Sequence, residues 1–230
     1  TKMIDMKIIY IDIETKNKFL SGLDFKKPEG WLISCFCIYD SYTGNKYYFV
    51  EDKEEIIYHY TNEPLSSVKE DILQNLYNFT DAEDIMTNFY KEGYTLNSYN
   101  GLNFDYPIMG KPIRDGGVNL DNVIHNFELD NRTRDLFFDL NLHTDINFSL
   151  QNLIKGVIGS KYSKSMKSAS APIQWSKKQY IEVLMYCMLD CIYTSEVFNR
   201  LENPDVLYSI DYKRYGKVHN CNLQNYEIVK

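Results

Sequence analysis

Two carboxylates two residues apart, Asp12 and Glu14, close the run Ile8-Ile9-Tyr10-Ile11-Asp12-Ile13-Glu14. On a strand, side chains alternate between faces, so both acids project from one side while Ile11 and Ile13 project from the other. Adjacent negative charges in an apolar strand are costly unless a cation or hydrogen bonds compensate them, and hard divalent cations favour such oxygen ligands. A strand end with two solvated acids fits the same residues. A second segment, Tyr99-Asn100-Gly101-Leu102-Asn103-Phe104-Asp105-Tyr106-Pro107, places an acid directly after an aromatic residue. It reads equally as a turn with a helix-capping aspartate. In a third, Tyr186 and Asp190 lie four apart, which on a helix puts a phenol and a carboxylate on one face where both can address the same site. An ordinary amphipathic helix also produces that spacing.

The elements that must position these residues alternate between strand and helix. Residues 7–14, rich in isoleucine, predict a central strand. Two further strands are expected over 31–39 and 46–50, joined by the turn-forming stretch 40–45. Helices are expected over 53–60, 64–78 and 82–91, then a short strand over 94–99 that delivers the second motif. A helix starts near Asp105, and apolar segments cover 134–142 and 150–158, the latter ended by Gly159. Residues 160–171 read as a loop. Ser176, with Gln179 three residues on, has the form of a capping box opening a long helix that runs to Leu201, and Trp175 and Tyr180 have the spacing of its hydrophobic staple. The C-terminal residues form an extra strand or a packed tail. The pattern is that of a single α/β domain, a mixed sheet flanked by helices.

Taken together, the three motifs resemble the DnaQ-like 3′→5′ exonuclease superfamily, in its branch named for four acids and a tyrosine. The matching residues are Asp-Ile-Glu-Thr at 12–15, Asn-x-x-x-Phe-Asp at 100–105 and Tyr-x-x-x-Asp at 186–190. The extended forms Tyr-Asn-x-x-x-Phe-Asp-x-Pro and Tyr-Cys-x-x-Asp look closest to the proofreading domains of family-B DNA polymerases. The resemblance spans about 8–201 and implies a ribonuclease-H-like fold, with an exonuclease domain over 1–202 and a C-terminal extension, 203–230, packed on it. It further implies that Asp12, Glu14, Asp105 and Asp190 hold two divalent cations, Mg²⁺ or Mn²⁺, about the scissile phosphate. Tyr186, with an ordinary pKa of ~10, would orient the attacking water. Thr15, Asn100 and Phe104 would contact the terminal nucleotides. Met185 stands where the histidine branch of the superfamily carries its histidine, and Lys164–Ala169 matches only the ends of the family-B lysine element.

Composition bounds the partners. With 230 residues and 44% hydrophobic content the chain supports one well-filled core, and a soluble, cytoplasmic protein with no membrane association is expected. Five cysteines without CxxC spacing read as reduced core thiols. A net charge of −7 argues at first against a nucleic-acid partner. Between residues 146 and 181, however, there is no acid, while Lys155, Lys161, Lys164, Lys167, Lys177 and Lys178 contribute +6, leaving −13 elsewhere. Lys161, Lys164 and Lys167 are candidate contacts to a strand backbone, and Trp175 a candidate stacking surface. A solvated lysine-rich loop is the plain alternative. The expected substrate is single-stranded nucleic acid, DNA ahead of RNA. An RNA exonuclease of the same fold, or an inactive binding module, are the competing readings.

Overall fold

The computed structural model describes residues 6–17, 27–162, 168–203 and 205–224. The isoleucine run forms β1, Ile8–Thr15, which pairs antiparallel with β2, Ile33–Asp40; β2 in turn pairs antiparallel with β3, Lys46–Val50. Asp40 closes the β2–β3 turn by accepting from the backbone N–H groups of Tyr42 and Thr43. Helix α1, Lys53–Tyr60, starts at Asp52, whose side chain accepts from two first-turn N–H groups, and α2, Ser67–Gln74, starts at Ser66.

The helix expected over 64–78 is shorter than the sequence suggests. After Gln74 the chain turns into β4, Leu76–Asn78, which pairs parallel with β3 and buries Leu76. Three residues are too few to show an alternating pattern, so only the free edge of β3 identifies this strand. Helix α3, Ala82–Lys91, leads to β5, Thr95–Ser98, parallel to β1. There follow α4, Asp105–Gly110; α5, Asp121–Leu129; β6, Thr133–Asp135, parallel to β5; and α6, Leu136–Thr144. Sequence reasoning missed α5 and β6. Helix α7, Leu150–Leu153, continues into a π turn over Ile154–Ile158, and α8, Ala171–Ser176, precedes the long α9, Tyr180–Leu201.

The six strands run in the order β4-β3-β2-β1-β5-β6, the mixed sheet flanked by helices expected of a ribonuclease-H-like α/β domain. Strand alternation divides the core in two. Ile9, Ile11, Ile13, Phe36 and Phe49 are buried in one cluster with residues of α3, α4 and α5, where Phe36 and Phe49 are register partners with stacked rings 4.3 Å apart. Tyr10, Cys35, Cys37 and Tyr48 are buried in the other with α9. Each such side chain contributes about 1.5–3 kcal/mol on burial, so α9 is held by its apolar face.

Thiols seat that helix. Cys187 Sγ lies 3.2 Å from the carbonyl of Asp12, and Cys191 Sγ 3.5 Å from that of Cys37. Burial pushes the Cys37 thiol up to about 12 and raises Cys35, Cys187 and Cys191 as well, so all four remain protonated donors, as core packing predicts.

The start of α9 corrects the capping-box expectation. Ser176 ends α8, its hydroxyl donating to Ile173 O, and α9 begins only at Tyr180 after Lys178 adopts φ +60°. The Trp175–Tyr180 contact does form, with ring centroids 4.8 Å apart, but it joins two helices instead of stapling one. Strands β7, Tyr208–Arg214, and β8, Lys217–Leu223, form a separate antiparallel hairpin. Its Ile210 and Leu223 join the α9-side core, and a Cβ on Gly156 would come within 2.8 Å of Ser209 O, so glycine lets the hairpin lie against the π turn. Among the described residues no helix is long and apolar enough to cross a membrane.

Candidate active site

The site forms where parallel strands end. Strand β1 extends beyond its pairing with β5, which covers only Ile8–Tyr10, so Asp12 and Glu14 stand at the sheet's carboxyl edge. This is where ligands gather in open α/β sheets. Asp12 and Glu14 share a face, as the two-residue spacing requires, and it is the face on which α9 lies. Asp190, on α9, completes a cluster in which one carboxylate oxygen of each of Asp12, Glu14 and Asp190 lies within 4.8 Å of the others.

These acids line a cavity of about 160 Å³ together with Ile13, Tyr99, Asn100, Phe104, Asp105 and Leu150. Asp105 is only 4% exposed and stands apart from the cluster of three, because its Oδ1 accepts from Ile13 N at 3.0 Å. Beyond β5 that N–H has no strand neighbour, and the first residue of α4 supplies the acceptor instead. Burial pushes the Asp105 carboxyl up to about 7; the Ile13 N–H opposes this, and the charges of Asp135 and Asp190 add to it. Near neutral pH this site therefore stores negative charge at a cost that a cation would relieve.

The loop leading to Asp105 is held from β6. Asp135 is buried, and its Oδ1 accepts from Asn100 N at 2.8 Å and Phe137 N at 3.1 Å while its Oδ2 accepts from Leu102 N at 3.0 Å. One carboxylate thus caps α6 and fixes both ends of the turn at Asn100, which adopts φ +66°. At Gly101 an added Cβ would fall 2.3 Å from Ser98 Oγ, so only glycine fits. Sequence reasoning missed Asp135; the available signal was its place ahead of the apolar start of α6, the position of an N-cap.

The other expected contacts divide. Asn100 and Phe104 line the cavity, and Phe104 packs edge-on against buried Trp31 at 5.2 Å. Thr15 is buried just past a strand irregularity, its hydroxyl 3.4 Å from Asn17 O, and does not line the cavity. Tyr186 is buried within α9 and is also outside the lining. Trp175 lines a different cavity, with Lys16, Ser34, Glu51 and Tyr180 among its walls. Lys161 is exposed, its ammonium 4.9 Å from the Tyr162 ring centroid, and Lys164 and Lys167 lie outside the described residues.

No family model matches the chain, and no curated protein matches it. Among solved structures, the metal-free form of the Escherichia coli ExoI–ssDNA complex is similar at 12% identity with a TM-score of 0.35. The match covers 85% of this chain and 42% of that one, so the chain spans under half the length of that protein.

Proposed function

We propose that the protein is a divalent-cation-dependent 3′→5′ exonuclease of the DnaQ-like superfamily, acting on single-stranded nucleic acid, DNA in preference to RNA. The observation that carries this reading is the meeting of Asp12, Glu14 and Asp190 within 4.8 Å, in a cavity that Asp105, Asn100 and Phe104 also line. Residues from three segments separated by most of the chain converge there. A cluster of carboxylate oxygens is the donor set that Mg²⁺ or Mn²⁺ favours, and a pair of such ions would take Asp105 as the fourth ligand.

When bound, the cations supply charge stabilisation at the phosphate and an activated water. The chain's own residues do the rest. Asp12, Glu14, Asp190 and Asp105 would hold the cations through their carboxylate oxygens. Phe104, fixed against Trp31, forms a wall for the terminal sugar and base, and Asn100 offers its amide beside it. Tyr186, one helical turn before Asp190, is assigned to orient the water; sites without substrate hold such groups more loosely than substrate complexes do.

The test uses 5′-labelled single-stranded DNA and RNA with Mg²⁺, Mn²⁺ or EDTA on a sequencing gel. A descending ladder from the 3′ end, lost in EDTA and in the Asp12→Ala, Glu14→Ala double variant, is expected. Full activity in that variant refutes the assignment of the site, and immediate release of labelled mononucleotide refutes the polarity.

A further inference from the structure

We infer that the β7–β8 hairpin is a second nucleic-acid contact, which grips single-stranded substrate on the 5′ side of the nucleotide held at the acid cavity. The inference rests on the nuclease reading above and extends it to a surface outside the catalytic motifs.

The hairpin tip reads Lys213-Arg214-Tyr215-Gly216-Lys217, three cations in five residues with no acid, in a chain whose net charge is −7. Tyr215 and Gly216 occupy a two-residue turn at φ +52° and +74°, a conformation that suits Asn, Asp or Gly and is unusual for an aromatic residue. Tyr215 is 96% exposed, so it contributes nothing to packing, and its ring stands free between the cations. Cations interleaved with an accessible aromatic ring are what a flexible polyanion with stackable bases requires.

Strand alternation gives this surface a direction. Tyr212, Arg214, Lys217 and His219 share the face of Ile210 and Leu223, the two residues buried against the domain, whereas Lys213 and the acid Asp211 lie on the opposite face. Tyr212 stacks with His219 at 5.4 Å and meets Phe148 edge-on at 6.0 Å. The carbonyl of Phe148 accepts from the hydroxyl of Tyr99, which itself lines the acid cavity, and Leu150, two residues after Phe148, lines it too. Arg214 is placed by a 2.7 Å hydrogen bond to Asp145 O and pairs at 3.7 Å with the carboxylate of the same residue, which leaves Lys217, among the described residues, as the unpaired cation of this face. The basic face is therefore coupled to the cavity wall through one ring and one hydrogen bond, and a strand leaving the acids past Tyr99 and Leu150 runs toward it.

The experiment compares the wild-type chain with the Tyr215→Ala, Lys217→Ala double variant. Both side chains are exposed, so the fold should persist, and thermal unfolding checks it. Binding of labelled oligo-dT of three and of twelve nucleotides is titrated in Ca²⁺ at several salt concentrations, and turnover of both is measured in Mg²⁺. The variant should bind the twelve-mer about tenfold more weakly, with a salt slope reduced by roughly 0.7 for one lost phosphate contact, while the three-mer is bound and cleaved as by the wild type. Bromodeoxyuridine at an internal position of the twelve-mer should crosslink to Tyr215 in the wild-type chain. Equal twelve-mer affinity and salt slope in the two proteins, with wild-type cleavage intact, overturns the hairpin contact and leaves the nuclease reading standing. Equal weakening for both lengths overturns it in favour of a structural role. Failure of the wild type to bind or cleave either oligonucleotide overturns both readings.

Discussion

Asp135 provides the sharpest test of how the site is built, because it touches no substrate in the proposed reaction yet holds the loop that carries Asn100, Phe104 and Asp105. In Asp135→Ala, three backbone N–H groups at 2.8, 3.0 and 3.1 Å lose their acceptor. Hydrogen bonds to a charged acceptor contribute about 1.5–3 kcal/mol each. Leu102 is exposed, and Asn100 and Phe137 are half-buried, so water replaces part of each bond. The relief of a carboxylate whose pKa is raised by burial offsets a further part. A net loss of about 3–5 kcal/mol follows, a large share of a typical domain's stability. Asp135→Asn is the more discriminating variant. Its amide oxygen can keep the bonds from Asn100 and Phe137, but its NH₂ then faces the N–H of Leu102, which costs about 1–3 kcal/mol and frees that end of the turn. Asp105 lies three residues on, and a displacement near 1 Å at a catalytic group costs about 100-fold in rate. Urea unfolding would show a lowered midpoint with an unchanged slope, and initial rates on 5′-labelled oligonucleotide at saturating Mg²⁺ would fall far more than the folded fraction. Wild-type stability together with wild-type activity in Asp135→Asn would refute the reasoning.

Two further outcomes follow from the same geometry. The Asp105 carboxyl, raised from 3.8 to about 7, holds a proton in the folded protein that the unfolded chain has already released. In metal-free buffer stability should therefore fall as pH rises through that window, and Asp105→Asn should flatten the slope; a stability that rises with pH there, and is unchanged by the substitution, would contradict it. Of the five thiols, only Cys221 is partly exposed, so an aromatic disulfide reagent should titrate about one thiol quickly in native protein and all five after denaturation. Rapid reaction of Cys187 would mean that α9 is not seated on β1 as described.

Local sequence was enough to place the chemistry-bearing residues on their elements. The isoleucine run specifies β1 because β-branched side chains suit a pleated buried strand, and the two-residue spacing then puts Asp12 and Glu14 on one face whatever surrounds them. The apolar periodicity of α9 likewise puts Asp190 on a helix that must bury its face. What local pattern cannot carry is an interaction whose partner is remote or whose element is too short to have a period. Strands β4 and β6 are three residues each and exist because a neighbouring edge offers unpaired backbone groups. The true start of α9 depends on a left-handed Lys178 and on how α8 packs, which a capping pattern at Ser176 does not encode. Asp105 joins Ile13 across 92 positions because β5 ends early, and Asp135 gathers N–H groups from a loop some 35 residues before it. Trp175 carries a promising residue type, but tertiary packing turns it into another cavity. Residue type and spacing thus determined which side chains share a face, while the closing of the sheet and the docking of α9 decided which of those faces meet, because only packing at long sequence separation brings distant carboxylates within reach of one ion.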